Sequence, residues 1–202
     1  MPDVRPVILV SANLAWNLVN FRAPLLRHLV ASGFRIVAAA PADDAEQLRL
    51  EALGCEFVAL PMDAKGLSPL RDLATFWRYW RLMRRLSPVA YLGWTVKPNV
   101  YGGMAARLAG VPALPNISGL GTAFIREGWL TRIVSLLYRA GLKAAPTVFF
   151  QNRDDEALFA ARGLVRPGQA RQLPGSGIDL TVLSVFGGAL GVTGSSGPGI
   201  AL

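Results

Sequence analysis

Polar side chains fall in clusters along this chain, each just after a short apolar run. Ser11, Asn13, Asn17, Asn20 and Arg22 make the first; Asp63, Lys65 and Gly66 the next; Thr95, Lys97 and Asn99 the third. Asn116, Ser118, Gly119, Gly121 and Thr122 follow, then Gln151 to Asp155, then Gly175, Ser176, Gly177 and Asp179. Asparagine, glutamine, serine and threonine both donate and accept, so such clusters suit a hydroxyl-rich ligand such as a sugar. Lys97 and Arg22 can face a phosphate. The same residue types are common in turns, and composition alone does not separate the two readings.

Other chemistries are excluded by what the chain lacks. With one histidine, His28, and one cysteine, Cys55, a zinc site or a Ser-His-Asp or Cys-His centre has almost nothing to be built from. His28 sits between Arg27 and Leu29 in a helical pattern and reads as structural. Cys55 opens an apolar run and reads as core. Asp154 and Asp155 read as a helix cap rather than a catalytic pair. Gly119-Leu-Gly121 lacks the full G-x-G-x-x-G and the later acidic residue, which argues against a dinucleotide-dependent oxidoreductase.

The elements that must carry these clusters alternate. Short apolar runs at Val7–Ser11, Phe34–Ala40, Glu56–Leu60, Val89–Trp94, Val111–Ile117, Thr147–Phe150 and Ala170–Leu173 read as strands. Between them lie helical patterns: Pro24–Ser32, the stretch capped by Asp43 or Asp44 up to Leu53, Ser68-Pro69 to Leu86, Val100–Ala109, Trp129–Ala144 and Asp154–Arg162. This order predicts an α/β fold with a doubly wound, mostly parallel sheet. Ligands of such sheets bind at the carboxyl ends of the strands, where the polar clusters fall.

The 202 residues can bury roughly 70 % of their unfolded surface, and 52 % of them are hydrophobic, which excludes intrinsic disorder. The apolar run at Val7–Val10 is too short for a signal peptide, and Arg132, Arg139, Lys143 and Pro146 break up the stretch from Leu130 to Phe150 as a membrane span. A net charge of +8 favours a polyanionic partner. Half of that charge lies in Leu70–Leu86, where Arg71, Arg78, Arg81, Arg84 and Arg85 stand against Asp72. Leu73, Phe76, Trp77, Trp80 and Met83 are placed on the core face of this helix. Its arginines then either cover a sheet with no further role or meet an anionic membrane surface through Arg78, Arg81 and Arg85. Nucleic acid is not expected as a partner, because no reader motif is present and the aromatics are assigned to the core. From Leu180 onward no charged residue occurs, and the Gly-rich segment 181–202 reads as a non-native or disordered tail, as from a shifted reading frame. A flexible extension and a weak membrane contact are its other readings.

Six motifs, in order, resemble the N-terminal domain of family 4 glycosyltransferases of the GT-B fold, in the branch that builds capsule, O-antigen and other lipid-linked oligosaccharides. They are Ser11-Ala-Asn13 with Asn20-Phe-Arg22, Asp63-Ala-Lys-Gly66, Thr95-Val-Lys-Pro-Asn-Val-Tyr-Gly102, Asn116 to Phe124, Val148 to Asp155 and Leu173 to Asp179. The resemblance implies a Rossmann-like half of a GT-B enzyme over residues 1–180. It implies transfer of a sugar, with retention, from a UDP-sugar to a polyprenyl-diphosphate-linked saccharide at the cytoplasmic side of the inner membrane. No metal or other cofactor is implied. Asn13, Arg22, Lys97, Asn99, Ser118, Gly119, Gly121 and Thr122 would line the acceptor side of the cleft. The family's Glu-x7-Glu donor motif is missing, since no glutamate has another eight positions on. The chain is therefore expected to be a half-enzyme without the donor domain, and its catalytic residues stay unassigned. The alternative is a non-catalytic basic module, for a membrane surface or as a scaffold, that keeps the fold.

Overall fold

The computed structural model describes residues 4–63, 68–119 and 128–173. Among them lies one seven-stranded sheet in the order β3-β2-β1-β4-β5-β6-β7. The strands are β1 (Val7–Ser11), β2 (Arg35–Ala40), β3 (Glu56–Ala59), β4 (Ala90–Trp94), β5 (Ala113–Ile117), β6 (Val148–Phe150) and β7 (Ala170–Gln172). Every pairing is parallel, so the expected "mostly parallel" sheet becomes an all-parallel one among the described residues. Full burial of β1 explains its unbroken apolar run, as both faces of a parallel sheet are covered by helices.

The helices are α1 (Ala15–Ala31), α2 (Asp44–Ala52), α3 (Pro69–Leu86), α4 (Gly103–Ala109), α5 (Trp129–Leu142) and α6 (Arg153–Ala161), with a π-helical turn at Pro98–Gly102 leading into α4. The helices divide between two cores, one on each face of the sheet. Leu18, Val19 and Leu26 of α1 and Leu50 of α2 pack with Ile8, Val10, Ile36 and Ala38. On the other face Tyr79, Leu82 and Met83 of α3, Ala105 and Ala106 of α4, Tyr138 and Leu142 of α5, and Phe159 of α6 pack with Leu9, Tyr91 and Phe150. Cys55 is buried in the first core, as its position in the sequence predicts.

Several boundaries differ from expectation. Helix α1 begins at Ala15, and Pro24, where the expected helix pattern starts, lies inside it. One proline costs the turn a hydrogen bond, but burial of Leu18, Val19, Arg22 and Leu26 along a single face outweighs that loss. His28 is exposed in the last turn. Asp43 caps α2 by accepting from Glu46 N. Asn152, not Asp154 or Asp155, caps α6; its side chain accepts from Asp155 N at 2.7 Å, and the two acids fall in the first turn. Ser68 makes no side-chain cap. Instead Asp72 Oδ2 accepts from Ser68 N at 3.1 Å.

The face of α3 is in part the expected one: Met83 is buried, and Phe76 and Trp80 are partly buried against the core. Asp72, Thr75, Tyr79, Leu82 and Met83 are buried, whereas Leu73 and Trp77 are 54 % and 44 % exposed. The buried arc also turns toward two polar partners in the core. Tyr79 bonds Ser11 Oγ at 2.6 Å, and Asp72 bonds Lys97.

Helices α4 and α5 approach each other through glycine. A Cβ on Gly103 would stand 2.5 Å from Gly141 O, and one on Gly141 would stand 2.8 Å from Asn99 O and Val100 Cα. That close contact holds the turn at Pro98–Gly102 down on the sheet, at the carboxyl end of β4.

Candidate functional site

Strands β1 and β4 are neighbours, with Ser11 beside Gly93 in the register. Beyond them the chain turns in opposite senses, toward β2 after β1 and toward β5 after β4, which opens a crevice at the carboxyl edge. Asn13 and Thr95 meet there. Asn13 N–H donates to Thr95 Oγ1 at 3.1 Å, and Asn17 Nδ2 donates to Asn13 Oδ1 at 3.0 Å. Thr95 has a φ of 67°, a left-handed conformation that a β-branched residue rarely takes, and its hydroxyl donates back to Trp94 O. Such strain at a crevice mouth fits a position fixed for contact rather than for stability. Asn13, Thr95, Ser118 and Gly119 are all partly exposed and form the rim.

A second layer lies beneath. Arg22, Lys97, Asn99, Asn116 and Gln151 are each buried. The guanidinium of Arg22 stands 5.1 Å from the ring centre of Trp94, and burial lowers its pKa to about 10, so it keeps its charge at neutral pH. Asn99 Nδ2 donates to Asn116 O at 2.9 Å, and Gln151 Nε2 donates to Asn116 Oδ1 at 3.3 Å. Lys97 Nζ donates to Asp72 Oδ1 at 2.6 Å, with both side chains buried. The Tyr101 hydroxyl is pushed well above its ordinary pKa by burial and by the nearby Asp72 carboxylate. A Cβ on Gly93 would lie 2.8 Å from Asn99 Oδ1, so a larger residue there would displace that amide. Trp94 Nε1, Asn99 Oδ1 and Gln151 Oε1 are buried with no hydrogen-bond partner among the described residues. Unspent polar capacity of this kind is expensive in a core and is concentrated here under the crevice.

The expected residues therefore separate. Asn13, Ser118 and Gly119 come to the rim, while Arg22, Lys97 and Asn99 come to the supporting layer. Gly121 and Thr122 lie outside the described residues, as do Lys65, Gly66 and the cluster at 175–179. Arg78, Arg81 and Arg85 stand on α3 along a groove with Val58, Ala59, Leu60 and Leu82. Sequence reasoning missed Asp72 and Trp94. The signal for Asp72 was its position as the lone acid in an arginine-rich helix, in step with Thr75 and Tyr79. Among the described residues no group of three or more His, Cys, Asp or Glu side chains comes together as a metal site. No described helix is long and apolar enough to cross a membrane.

Known structures share this fold. Acinetobacter baumannii MurG superposes with a TM-score of 0.54 at 17 % identity, covering 85 % of this chain and 45 % of that one. HepE from Anabaena, solved in complex with UDP and glucose, gives 0.62 at 16 % identity over 88 % of this chain and 46 % of its own. A UDP-GlcNAc 2-epimerase from Neisseria meningitidis, bound to UDP-GlcNAc, gives 0.62 at 14 % identity over 89 % and 50 %. The chain thus spans about half the length of these structures, and at such identities the likeness is one of fold. Among curated protein sequences none matches. Residues 20–175 match the model of the glycosyl transferase 4-like domain, and with most of its length inside that match the chain belongs to this family.

Proposed function

We propose that this chain is the acceptor-side domain of a glycosyltransferase. In this reading a sugar passes, with retention at the anomeric carbon, from a UDP-sugar to a polyprenyl-diphosphate-linked saccharide in cell-surface polysaccharide synthesis. The amide-rich crevice between β1 and β4 carries the proposal, because its rim of Asn13, Thr95, Ser118 and Gly119 matches the donors and acceptors of a saccharide. Asn99 and Arg22 act from below, as positioning groups and as a positive field for a diphosphate. The domain comprises residues 1–180, with the uncharged segment 181–202 outside it, and the nucleotide sugar is held by a second domain.

The same reading places the protein at the cytoplasmic face of the inner membrane. Support comes from the crest of α3, where Leu70, Leu73 and Trp77 are exposed beside Arg81 and Arg84. Trp129, Ile133 and Leu136 of α5 are exposed on the same side of the sheet, with Arg132 and Arg139. Arginine beside tryptophan and leucine suits an anionic headgroup layer, with Arg78, Arg81 and Arg85 adding charge.

The test is co-sedimentation with neutral vesicles with or without a polyprenyl-diphosphate-linked saccharide. The saccharide strengthens binding, and Asn13→Leu with Ser118→Ala removes that gain while leaving the fold intact. A gain that survives both substitutions contradicts the proposed site.

A second reading has one observation of its own. Lys97, the cation expected to face a diphosphate, is engaged by Asp72. A non-catalytic membrane-surface or scaffolding module would need no such cation. It predicts that polyprenyl diphosphate without the saccharide strengthens binding as much as the saccharide lipid does.

A further inference from the structure

We infer that the groove between β3 and α3 docks an acidic, extended peptide segment as an added strand on the sheet edge. This inference does not rest on the glycosyltransferase reading. Strand β3 pairs only with β2 among the described residues and stands at the end of the sheet. Leu60 N–H turns inward to Ala40 O at 2.8 Å. By strand alternation the N–H and C=O groups of Phe57 and Ala59 then point away from β2, onto the open edge. These groups are a template for one more strand.

Beside that edge lies a groove of about 250 Å³. Its floor is Val58, Leu60 and Leu82, and its wall is Arg78, Arg81 and Arg85. The arginines recur at spacings of three and four residues, so they share one flank of α3 and are separated by about 4.5 and 6 Å along its axis. Alternate residues of an added strand are about 6.7 Å apart on one face. Acidic residues at every second position can therefore meet the stripe in turn. Among the described residues no carboxylate pairs with Arg78, Arg81 or Arg85; the nearest acid of β3, Glu56, is bonded by Arg35. Arg78 donates to Pro61 O at 3.0 Å, which fixes one end of the stripe against the strand.

Two other occupants fit less well. A second copy of the chain, edge to edge, would bring two arginine stripes together with like charge. A lipid headgroup could meet the arginines, but it offers the exposed N–H and C=O groups of the edge no ladder.

The probe is the end-capped peptide Glu-Val-Glu-Val-Glu-Val, followed by fluorescence anisotropy and by amide hydrogen exchange. Binding should slow exchange at Phe57 and Ala59 at least tenfold. Arg78→Glu with Arg85→Glu should weaken binding at least tenfold, as should Ala59→Pro, which keeps every charge and removes only an outward N–H. The charge-reversed control, Lys-Val-Lys-Val-Lys-Val, should not bind. Absence of peptide binding overturns the proposal, as does peptide binding that leaves Phe57 and Ala59 unprotected. Arginine-dependent binding confined to phosphatidylglycerol vesicles overturns it too, in favour of lipid. If Ala59→Pro fails to fold, the exchange data and the arginine variants decide.

Discussion

Replacing Lys97 by methionine keeps most of the side chain's apolar stem but removes the ammonium, leaving the Asp72 carboxylate buried. That carboxylate accepts from Lys97 Nζ at 2.6 Å and from Ser68 N at 3.1 Å, and both partners of the pair are almost fully inside. Breaking a buried pair from one side costs about 3–5 kcal/mol, because the surviving charge has neither water nor partner. For a domain of this size each kcal/mol moves the midpoint by roughly 2–4 °C, so the variant should melt roughly 6–20 °C lower. Asp72→Asn should also destabilise, less severely, since an amide oxygen can still accept from Ser68 N. The double variant, Asp72→Asn with Lys97→Met, should be more stable than the sum of the singles by about 0.5–3 kcal/mol. Urea unfolding followed by circular dichroism, with the m-value checked for constancy, measures all three. A Lys97→Met protein within about 0.5 kcal/mol of the parent, or singles that add without coupling, would refute the reasoning and return Lys97 to the pool of ligand-facing cations.

Other consequences follow from the packing and the exposed faces. Gly141→Ala puts a methyl against Asn99 O and Val100 Cα and should cost about 1–3 kcal/mol in urea unfolding; unchanged stability would show that α5 and the π-helical turn stand further apart. Burial raises the Cys55 thiol to about 11, so at pH 8.5 the folded protein should react with a thiol reagent at least about tenfold more slowly than the urea-unfolded chain. The same shift makes stability fall as pH rises from the ordinary thiol range toward 11, because the unfolded chain gives up a proton that the folded one keeps. Leu73→Ser with Trp77→Ser removes exposed apolar surface from the crest of α3. It should weaken binding to phosphatidylglycerol vesicles about tenfold or more, with the folded far-UV circular dichroism spectrum unchanged; unaltered binding would count against the membrane-facing crest.

The parts of this fold that were legible in the sequence are those set by local chemistry. Pro69 at the first turn of α3 and Asp43 before α2 mark those starts because a fixed φ and a side-chain acceptor act within a few residues. The parallel sheet follows from apolar runs buried on both faces, and the polar clusters fall at the carboxyl edge because that edge holds the loops. What depends on distant partners was not legible. The buried arc of α3 turns toward Ser11 and Lys97, which lie 68 and 25 positions from Tyr79 and Asp72. The helical pattern reads from Pro24 until the packing of Leu18 and Val19 is known. The depth of Lys97, Asn99 and Arg22 beneath the rim likewise depends on how the π-helical turn and Trp94 close over them.

The central claim is that the crevice between β1 and β4 receives a saccharide on its amide rim. Side-chain amide signals of 15N-labelled protein, titrated with a polyprenyl-diphosphate-linked saccharide in micelles, test it most directly. The account predicts shifts at Asn13 and Asn17, smaller ones at Asn99, and none at Gln47 on α2. Shifts absent from Asn13 and Asn17, or equal in size for empty micelles, would contradict it.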